Sequence, residues 1–138
     1  MKENQEIRSG RHCVFCLHAH LVFLPKYRHS VFNDEILREM KRIMEDVCVG
    51  FETKLVEFNG ESDHVHLLVE YPPKVSISKL VNSLKGVSSY WLRTKNYEHI
   101  SSKLCGKSLW SPSYFAGSCG GAPIEVIKKY IDSQCRPN

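Results

Sequence analysis

The stretch FETKLVEFNGESDHVHLLVEYPP, residues 51–73, carries the pattern that decides the fold. Its two runs at 51–58 and 64–71 are rich in leucine, β-branched and aromatic residues, which predicts two strands. Between them lies Asn59-Gly60, a dipeptide typical of tight hairpin turns, and Pro72-Pro73 ends the second run. We therefore expect an antiparallel hairpin that turns at Asn59-Gly60.

Upstream of this hairpin, the pattern predicts a strand followed by a helix. Residues 13–24 are largely apolar and β-prone, and a polar, basic turn follows Pro25. Asn33 is suited to cap a helix in which apolar residues recur at i, i+3 and i+4 as far as Gly50. One strand and one helix therefore precede the hairpin.

Downstream, the pattern predicts a second helix from Ser76 to about Lys95, with Ser76 or Ser78 as its cap, and a short strand over 113–118. The order strand, helix, strand, strand, helix, strand favours an α+β fold. We expect a ferredoxin-like (RRM-like) antiparallel sheet with both helices on one face. The other face of the sheet is then left open.

A last helix has no place in that basic arrangement. It is predicted over residues 123–135, after a glycine joint at 117–121. Ile124, Ile127 and Ile131 fall on one of its faces. We expect it to dock on the sheet or on another chain.

Length and composition bound the class of protein. With 138 residues and 42% apolar composition, we expect one domain over 1–138 with a flexible N-terminus at about 1–12. A net charge of +4 permits a polyanionic partner without identifying one. No apolar run is long enough to span a membrane, so we expect a cytoplasmic protein with no membrane partner. The six cysteines are expected to be free thiols, because a chain of this length needs no disulfide framework.

His64-Val65-His66 is the first candidate for chemistry. On a strand, the rings of His64 and His66 project from one face while Val65 points to the other. Two imidazoles on one face can share a metal ion. In a chain with seven histidines, such a pair also arises by chance, so spacing alone leaves both interpretations open.

Residues near the pair allow further interpretations. Asp63 can orient a ligand histidine or simply complete the turn. His18 and His20 form a rival pair on the first strand, but that strand is more apolar and has no neighbouring carboxylate in the sequence. We expect His20 to approach the first pair from an adjacent strand.

Tyr130 and Gln134 lie one turn apart on one face of the last predicted helix. A tyrosine hydroxyl attacks poorly until a cation or base stabilises its phenolate, and a nearby divalent metal provides that field. The alternative is that Tyr130 anchors the helix with its ring and that Gln134 is a solvated surface residue. The two positions alone do not decide between these roles.

Several short motifs occur in a fixed order: Asp63-His64-Val65-His66-Leu67-Leu68, Lys85-Gly86, Leu109-Trp110-Ser111-Pro112-Ser113-Tyr114-Phe115 and Tyr130-Ile131-Asp132-Ser133-Gln134. This set resembles the single-tyrosine HUH transposases of the insertion sequence 200/605 family, over about His20 to Gln134. The basic turn Lys26-Tyr27-Arg28 is also similar to that family.

The resemblance implies a DNA transposase of the TnpA type that cuts and rejoins single-stranded DNA at insertion-sequence ends. It implies that His64, His66 and Gln134 bind Mg²⁺ or Mn²⁺ and that Tyr130 becomes joined to a DNA 5′ phosphate. It also implies recognition of DNA hairpins, and a homodimer in which the last helix of one chain can complete the histidine site of the other. Because the phosphotyrosine bond retains the energy of the cleaved bond, no nucleotide cofactor is expected.

Hairpin recognition would require a basic surface with aromatic planes for unpaired bases. The candidate DNA-binding residues are Lys26, Arg28, Lys79, Lys85, Arg93 and Lys95. Each of them fits an ordinary solvated surface equally well. Trp110 and Tyr114 can stack on bases, although core packing is the favoured role for Trp110.

Three other functions fit parts of the pattern. A domesticated relative would keep hairpin binding without cleavage, and a small metallohydrolase would use water in place of Tyr130. A replication or conjugation initiator would use the same chemistry but usually carries larger domains. The sequence leaves open the DNA sequence recognised, the metal used, and whether the last helix docks on its own chain or on a partner.

Overall fold

The elements follow one another in the predicted order. The structure, a computed structural model, describes residues 7–10, 12–95, 97, 98, 100, 108–118 and 124–134, with only the backbone at 27 and 124–128. The elements are β1 (Arg8–Gly10), β2 (Cys13–Phe15), β3 (His18–Phe23), α1 (Asp34–Gly50), β4 (Lys54–Glu61), β5 (His64–Glu70), α2 (Ile77–Thr94), β6 (Phe115–Ser118) and α3 (Ile124–Ser133). A 3-10 turn at Lys26–Arg28 follows β3.

The main sheet has the strand order β4-β5-β3-β6, and every neighbouring pair is antiparallel. Because side chains alternate along a strand, Leu21, Val65 and Leu67 point to one face, where they pack in a core with α1 and α2. The opposite, open face carries His20, His66 and their even-numbered neighbours on β3 and β5. The predicted ferredoxin-like α+β fold is confirmed.

Both predicted helix caps are present. The side chain of Asn33 accepts a hydrogen bond of 2.8 Å from the Ile36 amide, and α1 ends at Gly50 as expected. The Ser76 hydroxyl accepts one of 3.4 Å from the Lys79 amide at the start of α2. Each cap satisfies an amide that the helix itself leaves without a partner.

The buried stripe of α2 differs from the one that its apolar residues suggest. Tyr90 and Trp91 lie on the surface, whereas Ser88 and Leu92 are buried. The indole N–H of Trp110 donates to the Ser88 hydroxyl over 3.0 Å, which explains a serine inside the core. Trp110 therefore packs in the core, as its sequence context favoured.

The prediction that the hairpin turns at Asn59-Gly60 is wrong. Both residues lie inside β4, where Gly60 pairs with Val65, and the turn is formed by Ser62 and Asp63. A Cβ on Gly60 would lie 2.5 Å from a methyl group of Leu37 on α1. The glycine therefore permits the close approach of a helix, a long-range requirement that a turn dipeptide in the sequence does not reveal.

The predicted single strand over 13–24 is also divided in the structure. Its first part, β2, pairs with β1 in a separate two-stranded sheet, and β3 begins only at His18. The segment expected to be flexible, 1–12, therefore contains a strand at Arg8–Gly10, while residues 1–6 and 11 lie outside the described residues. Apolar composition alone cannot show where a strand changes its partner.

A carboxylate from β5 lies beside His18, although none neighbours this histidine in the sequence. Glu70, which pairs with His18 in register, places Oε2 3.7 Å from His18 Nε2, and both side chains are 3% exposed. Arg8 on β1 pairs with the other oxygen of Glu70 over 2.8 Å. The N-terminal strand thus supplies the cation for a buried carboxylate.

Helix α3 docks on the open face of its own sheet. Ile131 is buried against Val22 and Leu24, and Phe115 and Tyr130 pack at the margin of this second apolar cluster. In this single chain the last helix packs on the sheet, which is one of the two arrangements expected from the sequence. Among the described residues, no helix is both long and apolar enough to cross a bilayer.

Three cysteines are described, and all are free thiols: Cys13 and Cys16 are exposed and Cys48 is buried. Burial, with a smaller contribution from the charge of Glu45, raises the pKa of Cys48 to about 12, so its thiol stays protonated.

We expect iodoacetamide to label Cys13 and Cys16 in the native protein and to spare Cys48 until the chain is unfolded. Peptide mass spectrometry would measure this; equal labelling of Cys48 and Cys16 in the native state would contradict the core described above.

Candidate active site

The histidine pair lies on the open face of the sheet, at the N-terminal end of β5. His66 Nε2 is 2.9 Å from His20 Nδ1 on the neighbouring strand, and the two rings stack with their centroids 5.1 Å apart. The expected approach of His20 is therefore confirmed. Burial, and then the nearby His20 and His64, lower the pKa of His66, so this imidazole is neutral near pH 7 and keeps a lone pair.

Asp63 both forms the hairpin turn and contacts the pair. Its Oδ1 lies 3.0 Å from His64 Nδ1, and its Oδ2 accepts a hydrogen bond of 3.0 Å from Arg28 Nε. Burial alone would raise the pKa of Asp63, but the hydrogen bond to His64 and the charge of Arg28 outweigh it and lower the pKa overall. Asp63 is therefore an ionised acceptor for His64.

Arg28 lies in the basic turn after β3, where the sequence suggested a DNA contact. Its side chain is only 8% exposed, because the guanidinium points towards Asp63. Nη1 also lies 3.9 Å from Asp132 on α3. The charge of Arg28 is thus directed into the protein.

The second group of predicted residues is held by α3. The Tyr130 hydroxyl is 2.9 Å from Ser113 Oγ, and its ring packs against Phe115 with centroids 5.8 Å apart. Ser113 Oγ also lies within hydrogen-bond distance, 3.4 Å, of Gln134 Oε1. Ser113 thus contacts both functional candidates of α3. It lies in one of the quoted motifs, but nothing in the sequence pattern suggested this role.

The two groups share one face of the sheet but are not hydrogen-bonded to each other. His66, Val22 and Phe115 form a row across β5, β3 and β6, so the backbones at its ends lie roughly 10 Å apart. Within the described ranges, neither Tyr130 nor Gln134 is hydrogen-bonded to a histidine of the pair. The same residues include no cluster of three or more His, Cys, Asp or Glu that could hold a metal ion.

A pocket of about 270 Å³ lies between the basic turn and the end of α3. Its walls are formed by Leu24, Pro25, Lys26, Arg28, Ser111, Pro112 and Gln134. Lys26 is half-buried there, so this predicted DNA contact lies beside Gln134. The pocket is thus lined by Gln134 and by Arg28, which contacts Asp63, but neither His64 nor His66 is among its lining residues.

The other predicted DNA contacts lie on or after α2, on the helix-covered side of the sheet. Lys85 donates to the carbonyl oxygens of Ser111 and Ser113 over 2.6 and 3.2 Å, and burial lowers its pKa. Lys95 pairs with Glu39 over 2.8 Å. Lys79 and Arg93 are exposed. Lys85 therefore supports the segment that presents Ser113 to Tyr130.

The chain matches known proteins over almost its whole length. The model of the family described as "Transposase IS200 like" matches residues 13–134. The ISDra2 transposase TnpA of Deinococcus radiodurans is 34% identical over 129 residues, which cover 94% of this chain and 91% of that protein. The transposase for insertion sequence element IS200 of Salmonella typhimurium is 32% identical over 115 residues, covering 83% and 74% respectively.

Solved structures agree with this likeness. A crystal structure of a Deinococcus radiodurans protein described as a transposase superposes with a TM-score of 0.85 at 32% identity, covering 94% of this chain and 99% of that one. A REP-associated tyrosine transposase bound to a REP hairpin superposes with a TM-score of 0.56 at 10% identity, covering 97% and 70%. At that identity the second likeness concerns the fold alone.

The docking of α3 can be tested at Ile131. We expect Ile131→Ala to lower the free energy of local opening of α3 by about 2 kcal/mol, because it removes the side chain that is buried against Val22 and Leu24. Hydrogen exchange should accelerate in 124–134 and stay unchanged in α1. The exposed Lys129→Ala on the same helix is the matched control. Unchanged exchange in α3 of Ile131→Ala would contradict the observed docking.

Proposed function

The chain belongs to the family of IS200-like transposases, and from this premise we propose that it cleaves and rejoins single-stranded DNA with Tyr130 as the nucleophile. The observation that carries the proposal is the position of α3. It brings the Tyr130 hydroxyl to the sheet face that also carries His64 and His66. A nucleophile and candidate cation ligands on one face are the parts that tyrosine-dependent phosphoryl transfer requires.

The histidine group, which consists of His64 and His66 with Asp63 and His20 beside them, has suitable chemistry for a divalent cation. His66 is neutral near pH 7. The contact of His64 Nδ1 with Asp63 leaves the other ring nitrogen of His64, Nε2, with a lone pair that can bind a metal ion. The amide oxygen of Gln134 is the proposed third ligand, and it must leave Ser113 to act. His20 competes for Nε2 of His66, so binding through that nitrogen would break their hydrogen bond. When bound, Mg²⁺ or Mn²⁺ would polarise the scissile phosphate and offset negative charge on its oxygens.

The proposed reaction exchanges one phosphodiester bond for another. The Tyr130 oxygen forms a bond to phosphorus while the bond from phosphorus to the 3′ oxygen breaks, which leaves a DNA 3′ hydroxyl and a 5′-phosphotyrosine. The proton that the tyrosine loses is balanced by the one that the leaving 3′ oxygen gains. A 3′ hydroxyl can then attack the phosphotyrosine, so rejoining requires no nucleotide cofactor.

The proposed substrate is single-stranded DNA with hairpins near the cleavage site. Lys26 beside the pocket and the exposed Lys79 and Arg93 are the proposed contacts to phosphates. The homodimer that exchanges the last helix stays a prediction from the family resemblance. In the structure, α3 docks on its own sheet, so an exchange would break the contact of Ile131 with Val22 and Leu24.

The mechanism can be tested with labelled single-stranded DNA from the ends of the element that encodes this chain. We expect Mg²⁺ or Mn²⁺ to produce a covalent protein–DNA band on a denaturing gel, and chelator to abolish it. Tyr130→Phe should lose the band, because phenylalanine has no nucleophilic oxygen. Tyr90→Phe, which changes an exposed tyrosine on α2, is the matched control and should keep it.

The same experiment separates the alternatives. Hairpin binding without any adduct or nicking, at both ends and with both metals, would indicate a non-catalytic DNA-binding module. Full cleavage by Tyr130→Phe would indicate a metallohydrolase that uses water, and the tyrosine mechanism would be wrong.

A further inference from the structure

Arg28 is held in an unusual conformation at the margin of the candidate site. Its φ of 54° lies in the left-handed region, which is costly for a residue with a side chain. His12 and Glu52 share such a φ, but both are exposed, whereas the Arg28 side chain is 8% exposed. The surrounding structure therefore holds Arg28 in a backbone conformation that arginine rarely adopts.

Backbone contacts hold the turn in place. The Arg28 amide donates to the carbonyl oxygen of Pro25 over 2.8 Å, and the Lys26 amide donates to that of Leu109 over 2.9 Å. On the other side, the Phe32 amide donates to the carbonyl oxygen of Ser62 over 3.0 Å, which ties the chain after the turn to the β4–β5 hairpin. The guanidinium is thus delivered to Asp63 from a fixed position.

Arg28 and His64 contact different oxygens of the Asp63 carboxylate. Arg28 Nε occupies Oδ2, and Oδ1 faces His64 Nδ1 at 3.0 Å. An ionised carboxylate accepts hydrogen bonds and donates none, so a neutral His64 must carry its proton on Nδ1 to make this contact. Nε2 of His64 then carries a lone pair.

We propose that Arg28 is a positioning residue, which holds the Asp63 carboxylate so that His64 keeps its proton on Nδ1 and its Nε2 as a donor for a divalent cation. The binding of a cation at Nε2 rests on the proposed function, whereas the assignment of the His64 tautomer does not. A contact of 3.9 Å between Arg28 Nη1 and the exposed Asp132 joins the same guanidinium to α3. Arg28 therefore lies between the histidine group and the helix that carries Tyr130.

The inference is tested with Arg28→Met, Arg28→Lys, Asp63→Asn and the double variant of Arg28→Met with Asp63→Asn. Arg42→Met, which removes an exposed arginine that pairs with Glu39 on α1, is the matched control. Long-range ¹H–¹⁵N correlation spectra at one mildly alkaline pH report the tautomer of His64, with His64→Gln to assign its signals. We expect the Nδ1–H form in the wild type and Arg42→Met, and a shift towards the Nε2–H form in Arg28→Met and Asp63→Asn.

A second readout is Mn²⁺ affinity without DNA. We expect Arg28→Met and Asp63→Asn each to weaken it about 10- to 100-fold, as loss of a group that orients a ligand does, and the double variant to be no weaker than Asp63→Asn. Binding of hairpin DNA in chelator should be unchanged in Arg28→Met. Arg28→Lys provides the same comparison if Arg28→Met does not fold, because it keeps the charge and loses the Nε contact.

The outcomes are separable. An unchanged His64 tautomer in a folded Arg28 variant overturns the inference. Unchanged Mn²⁺ affinity together with weaker hairpin binding would instead make Arg28 a DNA contact. If the wild type binds no Mn²⁺, the proposed cation site fails, while the tautomer shift still decides whether Arg28 acts through Asp63.

Discussion

The antiparallel pairing of β3 with β5 is the constraint on which both the core and the candidate site depend. In this register Leu21 lies opposite Leu67 on the helix-covered face, while Val22 lies opposite His66 on the other. A slip of one residue would turn the histidines into the core and expose the leucines. The apolar contacts of α1 and α2 therefore fix not only the fold but also the face on which the histidines appear.

The sheet is buried on both faces at its centre, and this determines where polar groups can be placed. Val22 and Leu24 are covered by Ile131, although they share a face with His20 and His66. The histidines at the margin of this cover are partly desolvated, which is the main cause of the lowered pKa of His66. The open face therefore carries an apolar cluster under α3 and, on the same strands, a pair of stacked imidazoles that are partly withdrawn from solvent.

The parts that the sequence predicted are those that depend on local period and local chemistry. The alternation around His64 and His66, the cap at Asn33 and the helical spacing in α1 each follow from residues close together in the chain. The paired strands of the sheet follow from the order of such elements. The shared face of the two histidines was therefore predictable before any contact was known.

The parts that it did not predict depend on contacts between distant segments. Gly60 leaves room for Leu37 on α1 and does not form a turn, and Arg8 on β1 pairs with Glu70, which is 62 residues away. The role of Arg28 depends on Asp63, which is 35 residues away. A single basic residue in a turn has the same local appearance whether it points to solvent or into the protein.

The anchoring of the two groups of candidate residues differs greatly. The histidines lie on β5, which pairs with a neighbour on both sides, whereas Ile131 is the only buried side chain among those described on α3. Burial of one such side chain contributes about 1.5–3 kcal/mol, and the hydrogen bond of Tyr130 with Ser113 about 1 kcal/mol. Among the described side chains, these are the contacts that hold the C-terminal part of α3 on the sheet. In the proposed reaction the tyrosine hydroxyl must leave Ser113 to attack a phosphate, whereas the histidines stay on a strand that both neighbours hold in place.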